Sequence, residues 1–200
     1  MSSPDRPLRV DAARNRKLLL AAAEEEFTER GLSASVAQIA RRAGVGKGTV
    51  FRHFASKEDL MVAIVAGHLD ILIAHAQQLT GADDTAAALF EFLTVAADER
   101  RQHDVDFLWA VSDNDIRVTQ LRNRLHLAIE ALVDRARQAG TIRPDVTGAD
   151  IFLLMCAPIH VASNLADPDP ELWKRYLALI FDGLRPEGAH PLPQPAPTLP

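Results

Sequence analysis

The sequence predicts an all-α fold of about nine helices, a three-helix N-terminal domain followed by a larger helical domain. Three observations carry that prediction. Apolar residues recur at helical spacing along most of the chain. Ser/Thr/Asp helix-start signatures precede those segments, and no Asn-Gly or Asp-Gly hairpin signal lies between alternating runs.

The first helix is expected from about Asp11 to Arg30, with Leu20, Ala23 and Phe27 on one face and Gly31 as the left-handed residue that ends it. Residues 1–10 read as a flexible arm, and Glu24 to Glu26 as a solvated charge run. Ser35-Val36-Ala37-Gln38 is a capping box, in which the Ser hydroxyl and the Gln side chain each satisfy a backbone N–H at a helix start. The short helix behind it runs to Ala43 and stops at Gly44. Gly46 opens a second short helix, Lys47 to about Phe54, and Ser56-Lys57-Glu58-Asp59 caps a long one to about Gln78.

Past the turn at Gly81 to Asp84, a helix is expected from about Thr85 to Arg101, aligning Leu89, Phe92 and Ala96. A shorter helix over Asp104 to Val111 comes next. It precedes a long amphipathic helix from about Asp115 to Ala139, whose stripe is Leu121, Leu125, Ala128, Leu132 and Ala136, ended at Gly140. Thr147-Gly148-Ala149-Asp150 starts a very apolar helix to Ala166 that Pro158 should kink. Asp169 followed by Pro170 starts the last helix, which ends near Leu184. Six prolines and few core-forming residues mark 186–200 as a disordered tail. The domains expected are therefore 11–56 and 57–185.

Charge is uneven. Residues 1–56 carry ten Lys/Arg against six Asp/Glu, a local +4 in a chain of formal net charge −5. The global sign argues against indiscriminate binding to nucleic acid or anionic membrane, and the local one marks where a polyanion would bind. One cysteine, Cys156, forms no intramolecular disulfide, and the sequence has no CxxC or Cys/His cluster for structural zinc, so a cytoplasmic location is expected. The longest apolar run, Ile151 to Ile159, is short of the roughly 18 to 20 residues of a bilayer span, so no membrane partner is expected. An enzyme is not expected either: no GxSxG, HExxH, Walker loop or GxGxxG occurs. No cofactor and no metal are expected. His68 and His75 lie seven apart on one face of the long helix and with His103 could in principle hold a metal, but no carboxylate completes a convincing ligand set.

The segment Val36 to Phe54 has the dimensions of a helix-turn-helix, two short helices around Ala43-Gly44-Val45. Ile39, Ala40, Val45, Val50 and Phe54 are spaced to bury. Lys47, Thr49, Arg52 and His53 lie on the outer side of the second helix, with Phe51 partly exposed. Geometry alone leaves two readings open, a DNA-reading element or an αα hairpin that only packs.

From Gly31-Leu32 and then Val36 through Leu60 (VAQIARRAGVGKGTVFRHFASKEDL) the chain closely resembles the DNA-binding domain of the TetR family of bacterial transcriptional regulators, over roughly residues 14 to 62. Two positions depart from the family pattern: Phe51 stands where Tyr is usual, and Gly46 where Ser is usual. The resemblance implies a homodimeric one-component regulator, most simply a repressor of a palindromic operator, with a small-molecule effector bound in its C-terminal domain. It further implies that Lys47, Thr49, Phe51 and Arg52 face the major groove, that His53 and Lys57 meet phosphates, and that Ser35 and Gly46 border the same groove. Arg14, Arg16 and Lys17 read either as a minor-groove arm or as a solvated helix start. The rival reading is an all-helical protein-interaction module with a vestigial helix-turn-helix.

In the C-terminal domain, Trp173, Tyr176, Leu177, Ile180, Phe181 and Leu184 form a broad stripe on the last helix, too much apolar surface for a soluble monomer. With Leu154, Ile159 and Ala162 of the preceding helix they form the expected dimer seam, a four-helix interface about a twofold axis. For the effector pocket the candidates are Phe92, His103, Phe107, Trp109, Met155, Cys156 and His160, aromatic, soft and hydrogen-bonding side chains; each also reads as plain core.

Overall fold

The computed structural model describes residues 5–102, 114–167 and 169–197, with side chains from Arg14 onward. Those residues form helices and turns, and no strand occurs among them. In chain order the helices are α1 Asp5–Arg30, α2 Val36–Arg42, α3 Lys47–His53, α4 Lys57–Leu79, α5 Thr85–Gln102, α6 Ile116–Gln138, α7 Gly148–Leu154, α8 Ala157–Ala162 and α9 Leu172–Gly183. The helix expected over Asp104 to Val111 lies outside the described residues. Two compact units result, one from residues up to Gly67 together with 114–119, the other from 68–102 and the described residues beyond 119. α4 and α6 each contribute to both.

In the first unit α1 begins at Asp5, ahead of the expected Asp11, so residues 5–10 continue the helix instead of forming an arm. Pro7 falls in the first turn, where a missing N–H costs nothing. The buried side of α1 is Leu19, Ala22, Ala23 and Phe27, one residue round from the expected stripe, and Leu20 is only half-buried. Glu26 shares that side at 3% exposure, which corrects the reading of Glu24 to Glu26 as solvated. Its carboxylate accepts from Arg30 Nε at 2.9 Å and from Arg42 Nε at 2.8 Å, the pairing a buried charge requires. Gly31, at φ 56°, ends α1 and begins a single 3-10 turn, Gly31–Ser33. At the other edge of the unit, Asp115 caps α6 by accepting from Arg117 N at 2.8 Å, and the Arg117 guanidinium spans Asp115 and Asp59 at 3.0 and 2.8 Å.

In the second unit α5 lies antiparallel to α4, because His68 faces Glu99 and His75 faces Glu91. α6 runs parallel to α4, with Arg124 facing Asp70 and Arg135 donating to the carbonyls of Thr80 and Ala82. Leu89, Phe92 and Ala96 of α5 are buried as the spacing predicts, and on α6 the buried set is Leu125, Ile129, Leu132, Val133 and Ala136, with Leu121 and Ala128 at its half-buried margin. Among the described helices α4 has the length and hydropathy to cross a membrane, 23 residues with mean hydropathy 1.6. Run lengths hid this because Gly67, His68 and Asp70 interrupt the apolar run. Half of that stretch is buried in the protein, Leu60, Val65, Leu69 and Ala76 completely, so its apolarity belongs to the core.

The apolar helix expected to run unbroken to Ala166 is two helices, α7 and α8, separated at Met155 and Cys156 and ending at Ala162. Pro158 cannot donate to Leu154 and its ring crowds that carbonyl, so it takes a place in the first turn of a new helix instead of kinking the old one. Gly148 brings α7 hard against α6: its N–H donates to Glu130 Oε2 at 2.7 Å. Phe90 of α5 and Phe181 of α9 pack edge-on with centroids 4.9 Å apart. Residues 186–197 add no helix, yet the Arg143 guanidinium donates to the carbonyl of His190, tying this part of the expected tail at one point.

Candidate nucleic-acid interface

Local chemistry fixes the angle between α2 and α3. Ser35 Oγ accepts from Gln38 N at 3.3 Å and Gln38 Oε1 accepts from Ser35 N at 2.8 Å, the reciprocal box that starts α2. At the other end Gly44 takes φ 68°, and two reverse hydrogen bonds close the turn: Val45 N to Ala40 O at 3.0 Å and Gly44 N to Arg41 O at 3.1 Å. Ile39, Ala40, Val50 and Phe54 then bury together with Leu19, Ala23 and Phe27 of the same unit. α3 starts on Gly46, which supplies no side-chain cap.

Burying Val50 decides what α3 presents. Lys47, Gly48, Phe51 and Arg52 are exposed, and Thr49 and His53 half-buried. Phe51, at 48% exposure, is a large apolar side chain with its ring in solvent. Lys47, Arg52 and Arg41 make no ion pair among the described residues, whereas Arg42 is consumed: its guanidinium holds Glu25, Glu26 and Glu29 at 3.0, 2.8 and 2.6 Å. Those contacts hold the Glu29 carboxyl below its ordinary range, first through the hydrogen bond from Arg42, and push the Arg42 guanidinium still higher. Free positive charge therefore remains at α3 and the end of α2, and also on α1, where Arg14, Arg16 and Lys17 are exposed and make no ion pair among the described residues.

Three further candidates make contacts within their own unit. The Lys57 ammonium donates to the carbonyl of Leu32 and sits over the Phe27 ring at 5.8 Å, so in this structure it is engaged within its own unit and not turned outward for a phosphate. The Arg16 guanidinium stacks on Phe54 at 5.2 Å, which favours neither of the two readings of the helix start. The Ser35 hydroxyl is exposed but bonded to Gln38 at 2.6 Å.

Four of the seven effector candidates lie among the described residues. Phe92 and Met155 are buried, Cys156 is half-buried at the start of α8, and His160 is exposed; His103, Phe107 and Trp109 lie outside the described residues. Three buried nitrogens of the second unit make no hydrogen bond, His75 Nε2, which faces Glu91 at 3.7 Å, His126 Nε2 and Trp173 Nε1, and of these residues sequence reasoning passed over His126. His126 packs edge-on to Phe152, next to the fully buried Leu125 on α6. A cavity of about 300 Å³ lies elsewhere, between Arg143, Asp182 and residues 185–192.

The expected seam divides. Trp173, Leu177, Phe181, Leu184 and Ala162 are buried within the chain and so offer a partner no surface; Leu154, Ile159, Tyr176 and Ile180 are half-buried. Between the start of α7 and the end of α9, the large apolar side chains left in solvent among the described residues are Leu153, Val161, Leu165 and Leu179.

Residues 19–64 match the family described as bacterial regulatory proteins, tetR family, and residues 84–186 match the C-terminal domain described as transcriptional regulator SbtR-like. An HTH-type transcriptional regulator of Staphylococcus aureus is 34% identical over 100 residues, half of this chain and 52% of that protein. The chain thus spans about half the length of the curated relatives it matches. A TetR transcription regulatory protein of Mycobacterium vanbaalenii is 33% identical, with a TM-score of 0.66 over 90% of this chain and 99% of that one. A TetR transcriptional regulator of Streptomyces coelicolor is 31% identical, with a TM-score of 0.65 over 86% and 98%. The family is one of DNA-binding transcriptional regulators, not enzymes. With both the reading head and the C-terminal domain matched, the chain belongs to the TetR family of bacterial transcriptional regulators.

Proposed function

We propose that the protein is a cytoplasmic transcriptional repressor that binds a palindromic operator as a homodimer and is released by a small, largely hydrophobic effector. The observation that carries the reading is the outer side of α3, where Lys47 and Arg52 project from a rigid element and make no ion pair among the described residues, with the Phe51 ring exposed beside them. Donors held this way suit base edges in a major groove, which is wide enough to admit a helix. Thr49 and His53 flank them, and Gly46 and Ser35 border the same groove. Lys57 keeps its phosphate role in this reading only if the DNA displaces it from Leu32.

The dimer follows from operator geometry. Two reading heads engage successive major grooves near a spacing of about 34 to 36 Å. α4 is one uninterrupted helix shared by the DNA-reading unit and the second unit. An effector that tilts it would spoil the spacing, and a coupling of roughly 1 to 3 kcal/mol would weaken operator binding about 5 to 150-fold. The apolar interior of the second unit suits a hydrophobic effector, and the buried His126 and Trp173 nitrogens, which make no hydrogen bond, are the polar groups it would address.

The test begins with selection of duplexes from a randomised pool by the full chain, followed by fluorescence anisotropy. A twofold-symmetric consensus, and an Arg52→Ala variant that loses discrimination at one base pair by roughly 1 to 3 kcal/mol, are expected. Enrichment of no sequence would refute the reading. Release is tested by linkage: an effector that frees operator must bind the operator-bound dimer more weakly.

A further inference from the structure

Gly48 is the second residue of the seven-residue α3, and a Cβ there would meet no heavy atom of the described residues within 4 Å. Nothing among the described residues forbids a side chain, and glycine is a poorer helix former than alanine. One helical turn on, on the same side, Phe51 holds its ring in solvent at 48% exposure. An exposed bare patch and an exposed aromatic thus adjoin each other between the unpaired cations Lys47 and Arg52. Cations select a polyanion as the partner, and the aromatic then has one apolar feature to read in a major groove, the C5-methyl group of thymine. Having no donor or acceptor, Phe51 cannot address the polar edges of the bases.

We propose that Phe51 is a specificity-determining residue that reads a thymine methyl in each half-site, and that Gly48 is bare so that the α3 backbone approaches closely enough to seat the ring there. The inference rests on the reading of α3 as the DNA-recognition helix. A tyrosine at this position would bring a hydroxyl able to reach a phosphate, whereas phenylalanine offers only contact area.

The experiment uses the full chain and a duplex selected from a randomised pool, with each thymine of one half-site replaced in turn by uracil, which removes the methyl group alone. One thymine is expected to show a loss of about fourfold, the value of one buried methyl-sized group. In Phe51→Ala that loss disappears, while in Arg52→Ala it persists. Should Phe51→Ala bind too weakly to measure, Phe51→Val, which keeps apolar surface without the reach, is expected to reduce the uracil loss to under about twofold. Gly48→Ala is expected to melt no lower than the parent, to bind the duplex less tightly, and to lose the uracil effect. Selection without enrichment would overturn the DNA-binding reading and this inference together. An enriched duplex with no uracil-sensitive thymine, or a loss undiminished in both Phe51 variants, overturns the inference alone.

Discussion

Arg42 Nε lies 2.8 Å from Glu26 Oε1, joining the end of α2 to the buried face of α1 across sixteen residues of sequence. Glu26 is 3% exposed and accepts a second bond from Arg30, while the remaining nitrogens of Arg42 reach outward to Glu25 and Glu29. A buried carboxylate held on two guanidinium groups sets the position of α2 more sharply than apolar packing alone, since hydrogen bonds to charged groups are directional.

Glu26→Ala should therefore destabilise the DNA-reading unit by about 1 to 3 kcal/mol, the range for a lost hydrogen-bonded buried charge. Chemical denaturation followed by circular dichroism measures it. Glu25→Ala, at an exposed partner of the same guanidinium, serves as the control and should change the midpoint little. Equal losses in the two variants would show that burial of Glu26 is not what matters.

Acid should weaken the fold through the carboxylates that arginine holds. Hydrogen bonds from Arg42 to Glu29, from Arg117 to Asp115 and from Arg143 to Asp145 each hold the carboxyl below its ordinary value, 4.5 for Glu29 and 3.8 for the two aspartates. A carboxyl depressed in the folded state binds fewer protons there than in the unfolded chain. Its stabilisation is thus complete at neutral pH and is lost as pH falls from those ordinary values through the folded ones. Melting temperature should decline below about pH 4.5. The decline should be shallower in Asp115→Asn and in high salt, because these pairs are solvent-screened. A curve whose acid limb ignores both changes would refute the assignment.

What the sequence disclosed was mostly local. The Ser35 and Thr147 capping boxes and the glycine stops at Gly44 and Gly140 appear where the residue patterns put them, because each is decided by groups within a few residues. Long-range pairing was not legible. Glu26 reads as part of a solvated run because its partner Arg42 is distant in sequence, and Lys57 reads as an outward cation because nothing nearby marks Leu32 as its acceptor. On α9, periodicity supplies an apolar stripe wider than one helix contact, but not which part of it the chain's own helices cover. Trp173, Leu177 and Phe181 went inward, and Leu179, which the stripe omitted, stayed in solvent.

Two glycine-to-alanine substitutions should behave in opposite ways. A Cβ at Gly148 would lie 2.4 Å from Glu130 Oε2 and 2.9 Å from Glu130 Cα, whereas one at Gly48 meets open space. The carboxylate can swing aside; the α6 backbone cannot. Gly148→Ala should cost about 1 to 3 kcal/mol, as overpacking does, and should stay destabilising when Glu130→Ala removes the side-chain part of the clash. Denaturant midpoints for the single and double variants decide it. Full recovery in the double variant would mean that the backbone approach is looser than the 2.9 Å distance implies.

The last prediction separates the core half of α9 from its outer half. Leu177 is 1% exposed and Leu179 is 55% exposed, two positions apart on one helix. An aspartate at 177 would bury a charge with no partner, so Leu177→Asp should fail to fold or melt far below the parent. An aspartate at 179 changes a side chain that the monomer leaves in water, so Leu179→Asp should keep its helicity. If Leu153, Val161, Leu165 and Leu179 form the surface that a second copy covers, two like charges would then meet near the twofold axis. Sedimentation equilibrium should show at least about a tenfold weaker dimer, a coupling of roughly 1.4 kcal/mol or more. Operator affinity should fall with it, because a single reading head loses the second half-site. A Leu179→Asp protein that stays dimeric and binds duplex like the parent would move the interface to another face of the chain.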